Sequence, residues 1–494
     1  MQYVFQLIKA GFFTPSSLWT LLKAKRKHQD NICFLLKFAA DQYKNKTAIS
    51  DGNIKFGFKE LYTTVLHLSA AILNKTNPEK NTTAILICDN TLNHILAFYA
   101  IQNLGLKLIL INSKVHINDV HKIIDRQEGN YYLFTTDTQY LQLKHAVNIN
   151  ELIADIPQEN AEEKFSPLFA KLIFPTSGTT GDPKLIEKRN GEFYWLRSFA
   201  DLLSKTAIHK RNAVYISVPV SQGFGYTAIL FSLILGKKAL ITDSKEASHI
   251  ADMIIKEKAD LLVGVPTSLS KLAACCKTKQ HHVHSVICGG APLNNTLLQN
   301  ITEAFGTTIF SMYGSTEASV SFIAHYSLLA ENAAALGIPL KGIQYKLEPQ
   351  PTGGHELLIR SGLANISTTE GWLHTGDLAC ENNGQLTWCG RKDSMIIKSG
   401  INIYPLEIEN ELLKMPGIED VYVAGQKNIE KGEIITAIIQ MKPGFVFDEK
   451  EIRAFAKTVL SGIKVPDKII ETTYFEYTAT GKKIKKAVET VLSK

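Results

Sequence analysis

No run of about 18 uninterrupted apolar residues, the length a membrane span requires, occurs in this chain, although 45% of its 494 residues are hydrophobic. A chain of this length does not close around one core, so at least two domains are expected. The seven cysteines (Cys33, Cys88, Cys275, Cys276, Cys288, Cys380 and Cys389) are scattered, odd in number and without CxxC spacing. That argues against structural zinc and against a disulfide framework, and it points to a reducing cytoplasm. The formal charge of +7 is small for the length, and basic residues are gathered in no single arm, so a nucleic-acid partner is not expected. Internal repeats and low-complexity linkers are missing too, which makes the domain junction short.

Two local basic segments stand out. Thr14-Pro15 opens a helix with Leu18, Leu21 and Leu22 at helical spacing and Trp19 beside them, followed by Lys23, Lys25, Arg26 and Lys27. Its make-up fits a helix docked on the protein with a solvated basic end; a peripheral contact with an anionic membrane surface is the alternative. It is not a signal peptide, because the charge follows the apolar residues and no small-residue cleavage site is present. At the other end Lys482, Lys483, Lys485 and Lys486 crowd together.

Between residues 45 and 330, short apolar runs such as Thr83 to Cys88, Leu108 to Ile111 and Val214 to Val218 alternate with longer helical patterns. This is the rhythm of an α/β fold with substantially parallel sheets. From 335 to 390 glycines recur between short alternating strands, which predicts a β-rich portion. The tail has strands near Val421 to Ala424 and Ile434 to Met441 and a helix from Glu449 to Leu460. The expected organisation is a large domain over residues 1–390 and a small, mobile α+β domain over 391–494.

The richest segment is Leu172 to Lys184, LIFPTSGTTGDPK, an apolar strand that breaks into hydroxyls, glycines and a lysine. Gly178 and Gly181 let backbone approach an anion, Thr176, Ser177, Thr179 and Thr180 offer donors, and Lys184 adds charge. Neither GxxxxGK[ST] nor GxGxxG can be read through it, so two common phosphate motifs are excluded. Four further segments place polar or glycine residues directly after apolar ones: Cys288-Gly289-Gly290-Ala291-Pro292-Leu293, Met312-Tyr313-Gly314-Ser315-Thr316-Glu317, Gly371-Trp372-Leu373-His374-Thr375-Gly376-Asp377, and Gly390-Arg391-Lys392-Asp393 leading to Lys398-Ser399-Gly400. Singly, each reads as a turn. Jointly they suit a nucleotide: the 289–292 turn admits a flat base, Tyr313 stacks on it, and Asp377 accepts from ribose hydroxyls. Glu317 suits a magnesium ion, and Arg391 with Lys184 offsets phosphate charge.

Through TSGTTGDPK (176–184), YGSTE (313–317), TGD (375–377), GRKD (390–393), KSGINIYPLEIE (398–409) and TATGKKIKK (478–486), most of the chain resembles the adenylate-forming superfamily. That superfamily includes acyl-CoA synthetases and the adenylation domains of peptide synthetases. The resemblance implies that a carboxylate attacks the α-phosphate of ATP with magnesium present, and that a thiol, coenzyme A, then takes the acyl group. It implies that loop 176–184 holds the β- and γ-phosphates, Thr316 bonds the α-phosphate and Glu317 ligates the metal. Asp377 and Arg391 would secure the ribose, with Gly314 in the same motif as Tyr313. Lys482 would reach the α-phosphate from the small domain, which turns about a hinge at Asp393. Gly400 would border the pantetheine tunnel.

Gln222, Gly223 and Phe224 fall at the acyl pocket, with Gln222 where many acyl-CoA synthetases carry histidine; glutamine cannot become cationic. No acidic residue lies between Val218 and Phe231, where the amino-acid adenylating domains of the superfamily normally place an aspartate, so the resemblance disfavours a substrate with an ammonium group. Phe224, Tyr226, Ile229 and Leu230 read either as an apolar pocket for a fatty or aromatic acid or as core. The expected activity is an acid–thiol ligase forming an acyl-CoA. The alternatives are loading of a carrier protein's phosphopantetheine arm and a nucleotide-binding regulatory relative without turnover.

Overall fold

The computed structural model describes residues 14–28, 32–79, 81–156, 171–177, 183–188, 194–350, 354–362, 371–428, 430–477 and 483. Gly178, Thr179, Thr180, Gly181 and Lys482 lie outside these residues.

The architecture is mixed α/β, as the alternation of apolar runs predicts. A six-stranded sheet contains Thr83–Cys88 and Lys107–Asn112 paired in parallel, and it ends in an antiparallel hairpin of β1 (Leu172–Ser177) and β2 (Pro183–Lys188). Thr83–Cys88 is buried along its whole length, which is why it reads as continuous rather than alternating hydrophobicity.

The second sheet has thirteen strands. Its parallel half includes β3 (Ala213–Ile216), β4 (Leu261–Gly264), β5 (Ser285–Gly289) and β6 (Ile309–Ser315), with α1 (Gly223–Ile234) crossing one face. Residues alternate between the faces, so Val214, Val263 and Ile287 join the core under α1 while Tyr215, Leu262 and Val286 pack against helices on the other side. At β6 the sheet turns antiparallel through β7 (Ser319–His325). It continues into the glycine-punctuated part, where β8 (His355–Ser361), β9 (Leu373–Asn382) and β10 (Gln385–Arg391) pair in series. The predicted β-rich portion is therefore an extension of the parallel sheet, not a separate unit.

Beyond β10 lies a five-stranded sheet containing Ile418–Asn428 and Gly432–Met441, flanked by α2 (Pro405–Leu412) and a helix over Glu449–Val459. Ile396, Ile408, Val423, Ile439 and Ile452 are among the residues of its own core. Tyr404, just before α2, lies against Gly354, and Lys271 of the large sheet's helices sits 5.9 Å over the Tyr477 ring. Cys380 and Cys389, on β9 and β10, bring their sulfurs within 2.6 Å.

The N-terminal helix, Pro15–His28, packs Leu18 and Leu21 on the main core and leaves Trp19 and Leu22 exposed. No helix among the described residues is long and apolar enough to cross a membrane.

Candidate active site

In a parallel sheet the carboxyl ends of the strands carry the loops that bind ligands, and here β5 and β6 end side by side. Gly289 pairs with Met312, and a Cβ on Gly289 would lie 2.8 Å from the Met312 carbonyl oxygen, so only glycine closes this corner. Gly290 follows at φ +79°, a left-handed conformation that glycine adopts freely. Ala291 is half-buried and Pro292 exposed, leaving the turn's backbone at the surface.

The next strand supplies Tyr313 and the hairpin to β7. Gly314 is obligatory for the same reason, since a Cβ would meet the Ser319 carbonyl oxygen at 2.2 Å. Ser315 Oγ accepts the Ala318 N–H at 3.0 Å, closing a turn that presents Thr316 and Glu317, both half-buried. Lys188, at the end of β2, donates to Ser319 Oγ at 2.5 Å. Burial pushes its ammonium down to about 8, with Glu317 opposing the shift. The sequence reading missed Lys188; its only signal was its place four residues beyond Lys184.

Asp377 is the node of the site. Its Oδ2 accepts from the Tyr313 hydroxyl at 2.6 Å, and its Oδ1 accepts from Trp388 Nε1 at 3.1 Å and Arg391 Nη1 at 3.3 Å. Burial first, and then the Asp377 charge, hold the Tyr313 phenol well above its ordinary range. Arg391 also donates to the Thr375 carbonyl at 3.0 Å, so one guanidinium spans the Thr-Gly-Asp turn. Beneath the turn Glu356 accepts the Gly376 N–H at 3.1 Å and takes Lys392 Nζ at 3.3 Å. Trp388 and Glu356 carried no sequence motif that marked them.

Other expected residues are dispersed. Thr176 and Ser177 end β1 and pair across the hairpin with Lys184 and Pro183. The loop tip, Gly178 to Gly181, lies outside the described residues, as does Lys482. Its neighbour Lys483 pairs with Asp420 at 2.8 Å and lies 4.8 Å over the Phe475 ring. Asp393 is exposed in a one-turn 3₁₀ helix directly after Arg391, whose Nε stands 3.7 Å away. Gly400, at φ +76°, and Ser399, at φ +51°, form the two-residue tip joining Lys398 to Ile401, the geometry of a type I′ hairpin turn.

Gln222 holds the position before α1 without a side-chain hydrogen bond to the helix, and Gly223 opens it with free space on its Cβ side. Of the apolar residues on this helix, Phe224 faces a cavity together with Thr227, Ala228 and Phe231, the i, i+3, i+4, i+7 stripe. Tyr226 and Ile229 are buried in the core, with Tyr226 edge-on to Phe98, so the structure divides the sequence's apolar set in two. The cavity opens to solvent, and Met312 and Val320 are among the residues that line it.

Of the acidic groups, Glu317 has the chemistry for a magnesium ion that keeps waters and phosphates as further ligands. Glu348, Glu356 and His374 also bring ligand atoms within 4.8 Å of one another. There Lys346 at 3.7 Å and Lys392 at 3.3 Å already supply the positive charge.

Comparison with known proteins bears on the same residues. The model of the AMP-binding enzyme family matches residues 36–360, and that of the AMP-binding enzyme C-terminal domain matches 407–482. The chain is 25% identical over 416 residues to a 2-succinylbenzoate–CoA ligase of Bacillus subtilis, covering 79% of this chain and 84% of that one. It is 28% identical over 338 residues to a feruloyl-CoA synthase of an Amycolatopsis species, covering 64% and 68%. Its fold superposes with TM-score 0.79 on the Bacillus subtilis o-succinylbenzoate CoA synthetase solved with its acyl-adenylate intermediate, at 22% identity over 92% of this chain and 97% of that one. With its family model spanning the sheets that carry Gly289, Tyr313 and Glu317, this chain belongs to the AMP-binding enzyme family.

Proposed function

We propose that the chain is an ATP-dependent ligase that joins an apolar carboxylic acid to coenzyme A through an acyl-adenylate. The observation that carries this reading is one step of backbone: Met312 bounds the apolar cavity and the next residue, Tyr313, bonds Asp377. An acid in the cavity and a nucleotide at Asp377 would thus meet across a single peptide unit. CoA ligases among the relatives support the same chemistry.

One carboxylate oxygen attacks the α-phosphorus, and pyrophosphate departs with the α–β bridging oxygen. The coenzyme A thiol then loses its proton and attacks the acyl carbon, and AMP leaves with the carboxylate oxygen. The first barrier is the meeting of two anions, so oriented donors and cations do most of the work. Magnesium, when bound, neutralises phosphate charge, and Glu317 is the residue to hold it. We assign the hairpin 176–184 to the departing phosphates, Thr316 to the α-phosphate, and Asp377 with Arg391 to the ribose. Lys482 is assigned to the attacked centre. We place the domain division at 390/391, with rotation at Asp393 exchanging Lys482 for the Gly400 hairpin between the half-reactions. Exposed Trp19 and Leu22 beside basic residues support a peripheral membrane contact, and the Lys482 to Lys486 cluster favours an acidic carrier protein as a second thiol donor.

The test is exchange of labelled pyrophosphate into ATP across a panel of acids without coenzyme A. Exchange that depends on an apolar acid is expected; silence with every acid favours a binder without turnover.

A further inference from the structure

The cavity beneath α1 has a measurable depth. Val214 and Leu261 form its far end and are paired on adjacent strands, while Met312, paired with Gly289, forms the end beside Tyr313. Leu261 pairs with Ser285, so four residues of β5 separate the two levels. At about 3.3 Å per residue this is a channel of about 13 Å. A saturated chain with bonds of about 1.52 Å and angles near 111° advances about 1.25 Å per bond, so about ten carbons fill it.

What closes the far end is fixed by the way α1 stops. Gly236, at φ +63°, donates to the Leu233 carbonyl at 3.1 Å, and Lys237 donates to the Ser232 carbonyl at 2.8 Å. These paired bonds are a Schellman motif, which folds the residue after the glycine back over the last turn. The motif is pinned from outside, because Tyr43 donates to the Ile234 carbonyl at 2.9 Å and its ring leaves no room for a Cβ on Gly236. Lys237 therefore lies across the channel end, beside Ser232.

The walls offer a ligand almost no polar partner. The two hydroxyls among the lining residues are used within the helix: Thr227 donates to the Gly223 carbonyl at 2.7 Å and Ser232 to that of Ala228 at 2.8 Å. Lys237 contributes its methylene stem to this apolar lining. Its ammonium feels Lys46 and Asp260, and burial holds it below the ordinary lysine range. A charged group part-way along the acid's chain would lie against these apolar walls with no hydrogen-bond partner.

We propose that Lys237 is the length-determining residue of the acid site, its stem closing a channel that takes an apolar monocarboxylic acid of about ten carbons. The proposal rests on the ligase reading above. Lys237→Ala removes three methylenes and the ammonium, four heavy atoms in all, and so opens room for up to about four more carbons.

The experiment measures acid-dependent pyrophosphate exchange for straight-chain acids of graded length with full-length wild type, Lys237→Ala, Lys237→Met and Lys237→Trp. Wild-type kcat/KM is expected to fall about tenfold or more per added methylene beyond the cut-off. Lys237→Ala should move the cut-off two to four carbons longer, and Lys237→Trp should shorten it, by the lengths of stem lost and ring added, to about that extent. Lys237→Met, which keeps the stem and drops the charge, should retain the wild-type cut-off. An unchanged cut-off in both Lys237→Ala and Lys237→Trp overturns the proposal, as does a Lys237→Met profile that follows Lys237→Ala. Wild type silent with every acid is a different result: it removes the ligase reading and this proposal with it.

Discussion

Tyr313 donates its hydroxyl to Asp377 across 2.6 Å, joining the strand that borders the apolar cavity to the carboxylate assigned to the ribose. Trp388 and Arg391 occupy the other oxygen, so three of the carboxylate's roughly four acceptor sites are taken. A ribose bound as proposed would compete with the Tyr313 hydroxyl for Oδ2 of this carboxylate. Tyr313→Phe keeps the edge contact with Phe322 and should lower the stability of the unliganded protein by about 1–3 kcal/mol. It should also enlarge the rise in Tm caused by ATP and magnesium. Thermal denaturation with and without nucleotide reads both, and a smaller rise than in wild type contradicts the competition.

The turn that presents Thr316 and Glu317 depends on Gly314. An alanine methyl there would stand 2.2 Å from the Ser319 carbonyl oxygen, a backbone atom that cannot rotate away. Gly314→Ala should cost about 1–3 kcal/mol through forced displacement of the hairpin. Because the displaced turn carries Thr316 and Glu317, exchange activity should fall by more than the loss of folded protein accounts for. Urea denaturation beside exchange rates tests this; wild-type values for both would contradict it.

Much of this architecture is legible in the sequence because its signals are local. Thr83 to Cys88 is six consecutive residues that favour a buried strand, and the tail strand near Ile434 to Met441 is bounded in the structure by Gly432–Met441. Glycines at 289 and 314 mark real close approaches. What stays hidden is pairing across distance and helical phase. Nothing near Trp388 announces that its indole reaches Asp377, and nothing near Lys237 announces a channel end. Phe224 and Tyr226 are equally apolar and two residues apart, yet a rotation of about 100° per residue sends them to opposite faces. Only the neighbouring sheet decides which one meets the cavity.

His94 gives the fold a defined acid sensitivity. Its Nδ1 accepts from the Asp89 N–H at 3.3 Å, which leaves Nε2 to donate to Thr136 Oγ1 at 3.2 Å, so the neutral ring is satisfied on both sides. Burial depresses its pKa to about 4, below the value near 6.5 of an unfolded chain. Between those values the unfolded state binds the extra proton, so stability falls as pH drops from about 6.5 towards 4, by about 3 kcal/mol in total. Melting temperatures across this window should fall in wild type and fall less in His94→Gln. Equal acid sensitivity in the two proteins would remove His94 as the cause.

Lys482 is assigned to adenylation alone. Lys482→Ala should abolish pyrophosphate exchange yet leave thioester formation from supplied acyl-adenylate within a few-fold of wild type, because different interactions serve the two transition states. Assaying the half-reactions separately decides the matter, and equal loss of both would argue against a lysine delivered for one step only.

In the proposed reaction a carboxylate oxygen becomes bonded to the α-phosphorus of ATP and leaves with AMP. Turnover of a ten-carbon acid labelled with heavy oxygen at both carboxylate positions, with ATP, magnesium and coenzyme A, follows that atom. AMP carrying one heavy oxygen, together with one acyl-CoA per AMP, is the predicted result. Label found in inorganic phosphate with formation of ADP, or AMP without label, would contradict the account.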